Sequence, residues 1–489
     1  MILIKNSLYG GAVALAVLGL TACGGGSSDS GGSQSGGSSS GETSSSSSVA
    51  NSNSNFPAKI LSSHIADIDA DGDGDVIVSP YSSESTSEIQ LFLNSGGTFD
   101  LLSGAFPEFP ATFTSAAHIR TLDANNDGNK DVLALLINDS YESSVLNVYL
   151  GQGDGTFTTG ATITSSPLSG WGEFRVADFD GDGNTDFVLT QNPMGQCSGN
   201  PAEDICWGGH IYLNDGSGNF LAKEISLTDS LLNSTTSVDK LQAIDAHSGA
   251  VFIPDQPDLN VWSLLADDVN GDGTVDLVAP TFGDRMTPTF INNSLPGSLQ
   301  FSVVYSNTLT NQADGALVDV NRDALPDLVS SSAIFNGSED GDPETMTVPV
   351  YVSINTGDGI FAQATTDYFA AEVPSVQHAR SWSVADFNQD GFDDLFVADH
   401  GYDFPPFSGY PNLLLMNTDA GLENTTSSAL ESQNSFSHGA SVGDINGDGY
   451  PDLLINNDIQ IESTHADAAP AVSRLWLNNG DGTFTEGSL

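Results

Sequence analysis

A nine-residue acidic pattern, repeated along the chain, constrains the fold more than any other feature of this sequence. In the copy that begins at Asp67, carboxylates stand at positions 1, 3, 5, 7 and 9, and glycine stands at position 6. Copies begin at residues 67, 123, 178, 268, 319, 386 and 444. Such a repeat predicts one structural unit stacked several times, because each unit buries its apolar face against the next.

The segments around each copy have the character of β-strands. A short apolar run follows the acidic loop, as at residues 76–78 and 453–455, and predicts a strand buried on both faces. A third strand and a glycine-rich turn come later, as at residues 153–157 and 480–484. Residues 56–489 give about 62 residues per unit. The sequence therefore predicts an all-β fold, a seven-bladed β-propeller of four-stranded blades with the acidic loops between the first and second strands.

The acidic loops carry the ligands of a hard cation. Oxygen-bearing side chains at positions 1, 3, 5 and 9, with the backbone carbonyl of position 7, make an all-oxygen set that suits Ca²⁺. An EF-hand is excluded because position 12 never carries a carboxylate, being Val78 in the first copy and Ile455 in the last. For any single copy the alternative is a solvated acidic turn. We expect up to seven calcium sites, with the copy from Asp319 to Asp327 the weakest, because Ala324 replaces its glycine.

The predicted ligands, copy by copy, are Asp67, Asp69, Asp71, Asp73 and Asp75; Asp123, Asn125, Asp127, Asn129 and Asp131; Asp178, Asp180, Asp182, Asn184 and Asp186; Asp268, Asn270, Asp272, Thr274 and Asp276; Asp319, Asn321, Asp323, Leu325 and Asp327; Asp386, Asn388, Asp390, Phe392 and Asp394; and Asp444, Asn446, Asp448, Tyr450 and Asp452. Position 7 varies freely, which fits a ligand that acts through its backbone.

The acidic loop, the apolar strand and the Gly-Asp-Gly-Thr-Phe turn together resemble the FG-GAP/VCBS repeat, which also builds the propeller of integrin α chains. The resemblance extends over residues 56–489 and implies a calcium-binding propeller. The sequence departs from the pattern at Ala324 in the fifth loop and at residues 296–298 and 419–421, where the glycine-rich turn is only partly matched. These departures affect single sites and turns rather than the fold.

The charge balance excludes one class of partner. The chain has 64 acidic and 11 basic residues and a formal net charge of −53. Nucleic acid is excluded as a natural partner, because phosphate binding needs basic patches. Aliphatic and aromatic residues make up 38% of the chain, which argues against disorder over most of its length.

The first 55 residues read as an export and anchoring segment. Lys5 precedes an apolar run at residues 12–20 that is too short to span a bilayer, so residues 1–22 are expected to be a signal peptide. Residues 20–23, Leu-Thr-Ala-Cys, resemble a bacterial lipobox with Cys23 as the lipidated residue; a chance cysteine after an ordinary signal is the alternative. Residues 23–55 are nearly all Gly, Ser and Asn, which predicts a flexible tether. The expected location is therefore the outer membrane or cell surface, with the periplasmic side as the alternative.

Cys197 and Cys206 are the remaining cysteines. In an exported protein they are expected to form a disulfide that closes a surface loop, and two free thiols are the alternative.

Function is expected on the face opposite the acidic loops, because the longest connections fall there and binding sites favour long loops on a rigid scaffold. Scarce cations and aromatic residues precede the acidic loops and form the ligand-face candidates: His118, Arg120, Trp171, Arg175, Trp262, His378, Arg380, Trp382 and His438. The alternative is that Trp fills blade interfaces and Arg offsets the acidic scaffold. His64 is expected to be a packing residue.

Two function classes fit these features. The first is a non-catalytic, monomeric binding or adhesion module for a glycan or protein ligand. The second is a polysaccharide-acting enzyme of lyase or hydrolase type, with a His or Arg on the same face as base or charge stabiliser. The sequence shows no convergent acid–base pair or nucleophile elbow, which favours the binding module.

Overall fold

The computed structural model describes residues 56–57, 59–80, 88–110, 112–138, 144–164, 174–190, 209–223, 260–261, 263–282, 287–306, 312, 314–332, 346–363, 365–402, 407–430, 434–457 and 472–487. Cys23, Trp171, Cys197, Cys206 and Trp262, with the expected signal peptide and tether, lie outside these residues.

Seven sheets of consecutive antiparallel strands follow one another along the chain, and each sheet is one blade. Blade 1 comprises Ile60–Ala66, Asp75–Pro80, Gln90–Ser95 and Thr98–Leu101, and blade 2 comprises Ser115–Leu122, Asp131–Ile137, Ser144–Gly151 and Phe157–Ile163. Blade 3 comprises Phe174–Ala177, Asp186–Thr190, Gly209–Asn214 and Phe220–Lys223, and blade 4 comprises Leu265–Asp267, Asp276–Val278, Thr287–Asn292 and Phe301–Ser306. Blade 5 comprises Asp314–Val318, Asp327–Ser331, Val348–Asn355 and Phe361–Gln363. Blade 6 comprises Ala379–Ala385, Asp394–Asp399, Leu413–Thr418 and Gly421–Asn424, and blade 7 comprises Ser437–Gly443, Asp452–Asn457, Arg474–Asn478 and Phe484–Glu486. The predicted fold, seven four-stranded blades, is confirmed.

Short elements decorate the blades. Ser375–Val376 pairs with the third strand of blade 5. Two small ladders join Asn260–Val261 to Thr281–Phe282 and Tyr410–Pro411 to Asn434–Ser435. The helical pieces in the described residues are a 3-10 turn at Thr365–Tyr368 and an α-helical turn at Thr426–Ala429. No helix in this described part of the chain is long and apolar enough to cross a membrane.

The ring closes by packing between blades. The first strand of each blade lies beside the first strands of its neighbours, and blade 7 meets blade 1 in the same way. Across that last junction the Gly74 amide donates to the Asp444 carbonyl at 3.1 Å, and the Ser63 and Ser441 hydroxyls share a 2.6 Å hydrogen bond. Each blade is built from one continuous stretch of sequence, so the two ends of the propeller meet through side chains and loop contacts.

Within the described residues, the core consists of seven apolar clusters, one at each junction between neighbouring blades. Blades 1 and 2, for example, share Ile77, Leu91, Val132 and Ala134, while blades 7 and 1 share a cluster containing Val76 and Leu454. Second strands such as Asp75–Pro80 and Asp131–Ile137 are buried along their whole length. This burial confirms the expectation from their continuous apolar runs, because each second strand faces a neighbouring blade on both sides.

Candidate metal loops and the histidine cluster

Each acidic loop is organised around the carboxylate at position 1. Its Oδ1 accepts a hydrogen bond from the amide of position 5 at 3.0–3.2 Å in all seven loops. Its Oδ2 accepts one from the amide of position 6 at 2.7–3.2 Å. The position-5 carboxylate accepts the amide of position 7 at 2.8–3.0 Å. These bonds curl the chain into the same tight turn in all seven loops.

The carboxylate at position 9 lies at the base of each loop and is fully buried in all seven copies. Its Oδ2 accepts the amide of position 2 at 2.7–3.1 Å. Its Oδ1 accepts an amide from the end of the third strand of the same blade at 2.7–2.8 Å. Position 9 therefore anchors the loop to the blade.

Burial raises the pKa of the position-9 carboxyls, because the charged form loses water. The pKa rises to about 6 in Asp75, Asp276, Asp327 and Asp452 and to about 7 in Asp186 and Asp394. The pKa of Asp131 is also raised, again chiefly by burial. A nearby cation is what would restore the charged form of such groups.

The residues present fit a hard cation. In the first loop, carboxylate oxygens of Asp67, Asp69 and Asp71 lie within 4.8 Å of one another, and in the third loop those of Asp178, Asp180 and Asp186 do the same. The Oδ1 atom of Asp69 is buried and has no hydrogen-bond partner. A buried carboxylate oxygen without a donor is costly unless a cation satisfies it. Bound Ca²⁺ would tie the oxygens of one loop together.

Positions 4 and 6 of every loop adopt left-handed backbone. Position 6 is glycine in six loops, with φ between +88° and +102°, and in the fifth loop it is Ala324 with φ +71°. The Ala324 amide still donates to Asp319 Oδ2 at 2.8 Å. The fifth loop therefore keeps the geometry of the others while holding a β-carbon in a region that disfavours it.

A set of asparagines at the end of the third strand was not predicted from the sequence. Their amides are the donors to position 9 in six blades, and Gly151 fills this role in blade 2. They are Asn94, Asn214, Asn292, Asn355, Asn417 and Asn478. A sequence signal exists, because several of these residues directly precede the glycine-rich turn, as in Asn355-Thr-Gly-Asp-Gly.

On the opposite face, three histidines from two blades come together. His378 precedes the first strand of blade 6, His400 follows the second strand of blade 6, and His438 lies near the start of blade 7. The ring centroids of His378 and His400 are 4.3 Å apart, and those of His400 and His438 are 4.9 Å apart. Phe436 lies 4.8 Å from His400 and 5.2 Å from His438. We call these four residues the histidine cluster. His378 and His438 were predicted from the sequence as candidates, whereas His400 was not.

Backbone contacts hold the base of the histidine cluster. The buried Asp399 carboxylate accepts the amides of Gln377, His378 and Gly401 at 2.7–2.9 Å. Burial raises the pKa of Asp399 to about 6. His378 and His400 are buried, whereas His438 and Arg380 are half-buried. The exposed side of the site is therefore formed by His438 and Arg380.

The buried imidazoles are neutral at physiological pH. Burial lowers the pKa of His378 well below its usual value, and the positive charge of Arg380 adds to the effect. Burial also lowers the pKa of His400, with further contributions from His378, His438 and Arg380. A neutral imidazole presents both a donor and an acceptor to its surroundings.

The remaining described candidates fall into two places. His118, Arg120 and Arg175 lie in blades 2 and 3, where His118 meets Phe174 at 6.3 Å, and both arginines donate to the carbonyl of the preceding residue. Trp382 packs, half-buried, against the apolar cluster between blades 5 and 6.

His64 lies in the first strand of blade 1. Its Nε2 pairs with the Thr121 hydroxyl at 2.9 Å. Burial lowers the pKa of His64 to about 3, and the charges of Arg120 and Lys130 contribute. The His64 imidazole is therefore a hydrogen-bonded polar group packed within the propeller.

The fold and its loops define a class, the seven-bladed propeller with an acidic nine-residue loop between the first two strands of each blade. The model of the FG-GAP-like repeat family matches residues 67–134, 123–189 and 386–455, which carry the first, second, third, sixth and seventh loops. The chain therefore contains FG-GAP-like repeats. No curated protein matches it in sequence. Among solved structures, rhamnogalacturonan lyase PL11 of Bacillus licheniformis is similar, with 12% identity over 82% of this chain and 89% of that one, and a TM-score of 0.34.

Proposed function

We propose that this protein is a calcium-binding propeller that recognises a glycan through the face opposite its acidic loops. The observation that carries this proposal is the histidine cluster with Arg380 at the junction of blades 6 and 7. Three of the eight histidines of the chain meet there. Recognition sites characteristically combine aromatic faces with a few convergent polar groups.

The chemistry of the cluster suits a sugar. The half-buried His438 offers an imidazole face to the C–H face of a pyranose and a ring nitrogen to its hydroxyls, while Phe436, His378 and His400 are buried within the cluster. Arg380 is a guanidinium in a protein with a net charge of −53, so it favours a glycan that carries carboxylates. His438 and Arg380, the half-buried members, are the residues expected to contact the ligand, and the buried His378 and His400 support them.

A glycan panel tests this proposal with a matched pair of variants. We expect the double variant Arg380→Ala/His438→Ala of the full-length protein in detergent to lose binding by about tenfold or more. The pair His118→Ala/Arg120→Ala changes the same residue types in blade 2 and is expected to leave binding unchanged. If only the blade 2 variant loses binding, or if no glycan binds the intact protein, the assignment of this site is wrong.

A polysaccharide-acting enzyme is the second candidate, and the neutral imidazoles favour it. A depressed pKa keeps His378 and His400 in the form that accepts a proton at neutral pH, as a general base requires. The same panel is to be assayed for new reducing ends and for unsaturated products. Turnover that disappears in His378→Ala or His400→Ala, while glycan binding persists, supports the enzyme over the binding module.

The N-terminal segment completes the proposal. A lipid on Cys23 and the tether at residues 23–55 would hold the propeller at the outer membrane or cell surface. Labelling with a fatty-acid analogue tests this directly, because Cys23→Ser is expected to abolish the label. Retention of the label in that variant contradicts the anchor.

A further inference from the structure

The asparagines at the ends of the third strands make contacts with two acidic loops at once. Within its own blade, each backbone amide holds the position-9 carboxylate, as described above. The side-chain Nδ2 also donates to the position-8 carbonyl of the same loop in five blades, at 3.0–3.1 Å. The asparagine therefore fixes the base of its own loop from two directions.

The second contact crosses the blade junction. Nδ2 of Asn214, Asn292, Asn355 and Asn478 donates to the position-2 carbonyl of the preceding blade's loop, at 2.9, 2.9, 2.7 and 2.8 Å respectively. Asn94 of blade 1 reaches the Ile445 carbonyl in the loop of blade 7 in the same way. In blade 6, Asn417 reaches the neighbouring position-1 carbonyl of Asp319, at 2.9 Å.

Where the asparagine reaches a position-2 carbonyl, as in blades 1, 3, 4, 5 and 7, these contacts link the position-9 carboxylates of adjacent loops. The position-2 residue that accepts the asparagine through its carbonyl also donates its amide to the position-9 carboxylate of its own loop, as Phe179 does to Asp186. A continuous path thus runs from Asp276 through Asn292 and Phe179 to Asp186. Every atom on this path is main chain or a short, buried side chain, so a displacement at one end is transmitted rather than absorbed.

Blade 2 lacks this link. Gly151 holds Asp131 through its amide but has no side chain to reach the loop of blade 1. A β-carbon at Gly151 would lie 2.1 Å from the Lys130 carbonyl oxygen, so no asparagine fits there. The junction of blades 1 and 2 has other contacts: Phe106 stacks on Phe157 at 4.2 Å, and the Ser62 hydroxyl donates to the Ala116 carbonyl at 2.7 Å.

We propose that these asparagines are positioning residues that couple cation binding between neighbouring loops, and that the coupling runs as an open chain from loop 2 to loop 7 and on to loop 1. The proposal rests on the proposed calcium binding. An ion that fixes the position-2 and position-9 groups of one loop orients the carbonyl that the next asparagine needs. That asparagine then holds the position-9 ligand of its own loop, so each filled site favours its neighbour.

Loop 7 offers a local readout of this coupling. Tyr450 stands at position 7 of that loop and is expected to sensitise the luminescence of Tb³⁺ bound there in place of Ca²⁺. The signal that disappears in Tyr450→Phe belongs to loop 7. We expect Asn94→Ala, a change in blade 1, to weaken Tb³⁺ binding at loop 7 by about three- to tenfold, as expected for the loss of one buried hydrogen bond.

The matched control is Asn214→Ala, which removes the same group between loops 2 and 3. It is expected to leave the loop 7 affinity unchanged, in the full-length protein in detergent. If Asn94 were merely structural, Asn94→Ala would lower the melting temperatures of the calcium-free and calcium-loaded forms equally. If Asn94 is a positioning residue, the substitution lowers the melting temperature of the calcium-loaded form more.

Equal loop 7 affinities in the two variants overturn the coupling while leaving calcium binding intact. Absence of any calcium uptake by the unaltered protein in calorimetry overturns both the coupling and the calcium proposal. The two failures are therefore distinguishable.

Discussion

At the residue scale, the acidic loops depend on backbone conformations that most side chains avoid. Position 4 is left-handed in every loop, including Asn126, Arg322 and Gln389, so a non-glycine residue is tolerated there. Position 6 is left-handed as well, and Ala324 is its exception. The sequence identified Ala324 as a departure, and the structure gives its consequence, a strained φ in an otherwise regular loop.

Ala324→Gly is therefore expected to stabilise the protein. Relief of left-handed strain gains about 1–2 kcal/mol, while the added freedom of the unfolded chain costs about 0.4–1 kcal/mol, for a net gain near 1 kcal/mol. The reverse change at the equivalent position, Gly391→Ala, is expected to destabilise by a similar amount. The melting temperatures of both variants in calcium check this, and a lower value for Ala324→Gly contradicts it.

At the element scale, each loop and its two flanking strands form one electrostatic unit with a buried carboxylate at its base. The raised pKa of position 9 means that the calcium-free folded state binds protons that the unfolded chain releases. The stability of that state therefore falls as pH rises from about 4 towards 7. Bound calcium removes this loss of stability at higher pH, because it favours the ionised form of the position-9 carboxylate.

The gap between the melting temperatures of calcium-loaded and calcium-free protein is thus expected to widen as pH rises from 5 to 7.5. Groups remote from the loops, such as His64 and His378, titrate in both forms, so their contributions cancel in the difference. The measurement is repeated at high salt to screen surface repulsion, because the buried part of the effect persists there. A gap that stays constant with pH argues against proton release from position 9 on binding.

At the scale of the whole molecule, the ring closes where blade 7 meets blade 1, and the backbones of these two blades lie close together there. A β-carbon at Gly74 would lie 2.4 Å from the Asp444 carbonyl oxygen. One at Gly443 would lie 2.5 Å from Cγ2 of Ile65. Two glycines thus allow the last and first blades to touch without a shared strand.

Gly74→Ala is expected to destabilise the propeller by about 1–3 kcal/mol, the usual cost of overpacking. Gly439→Ala, in the first strand of blade 7, is the control, since a β-carbon there meets nothing closer than 3.7 Å and is expected to be neutral. Thermal unfolding and limited proteolysis of both variants measure this difference in stability. Similar stability of both variants shows that the junction is not a tight closure.

Much of this protein follows from short stretches of its sequence. The seven loops, the buried second strands and the glycine-rich turns are local patterns, so the repeat alone predicted the blades, their number and the oxygen ligands that converge in loops one and three. The residues that the sequence analysis missed, Asn94 and its equivalents and His400, share a different property. Each makes a contact in another blade, the asparagines with the neighbouring loop and His400 with His438.

The sequence by itself thus determined the repeated unit, because β-strand pattern and loop chemistry are encoded within about 62 residues of one another. Only the tertiary structure decided which residues meet across the blade junctions. His400 and His438 are neighbours because blades 6 and 7 pack side by side, and Asn94 meets Ile445 because the ring closes. Such contacts depend on where whole blades lie in space, and no local pattern in the chain specifies that arrangement.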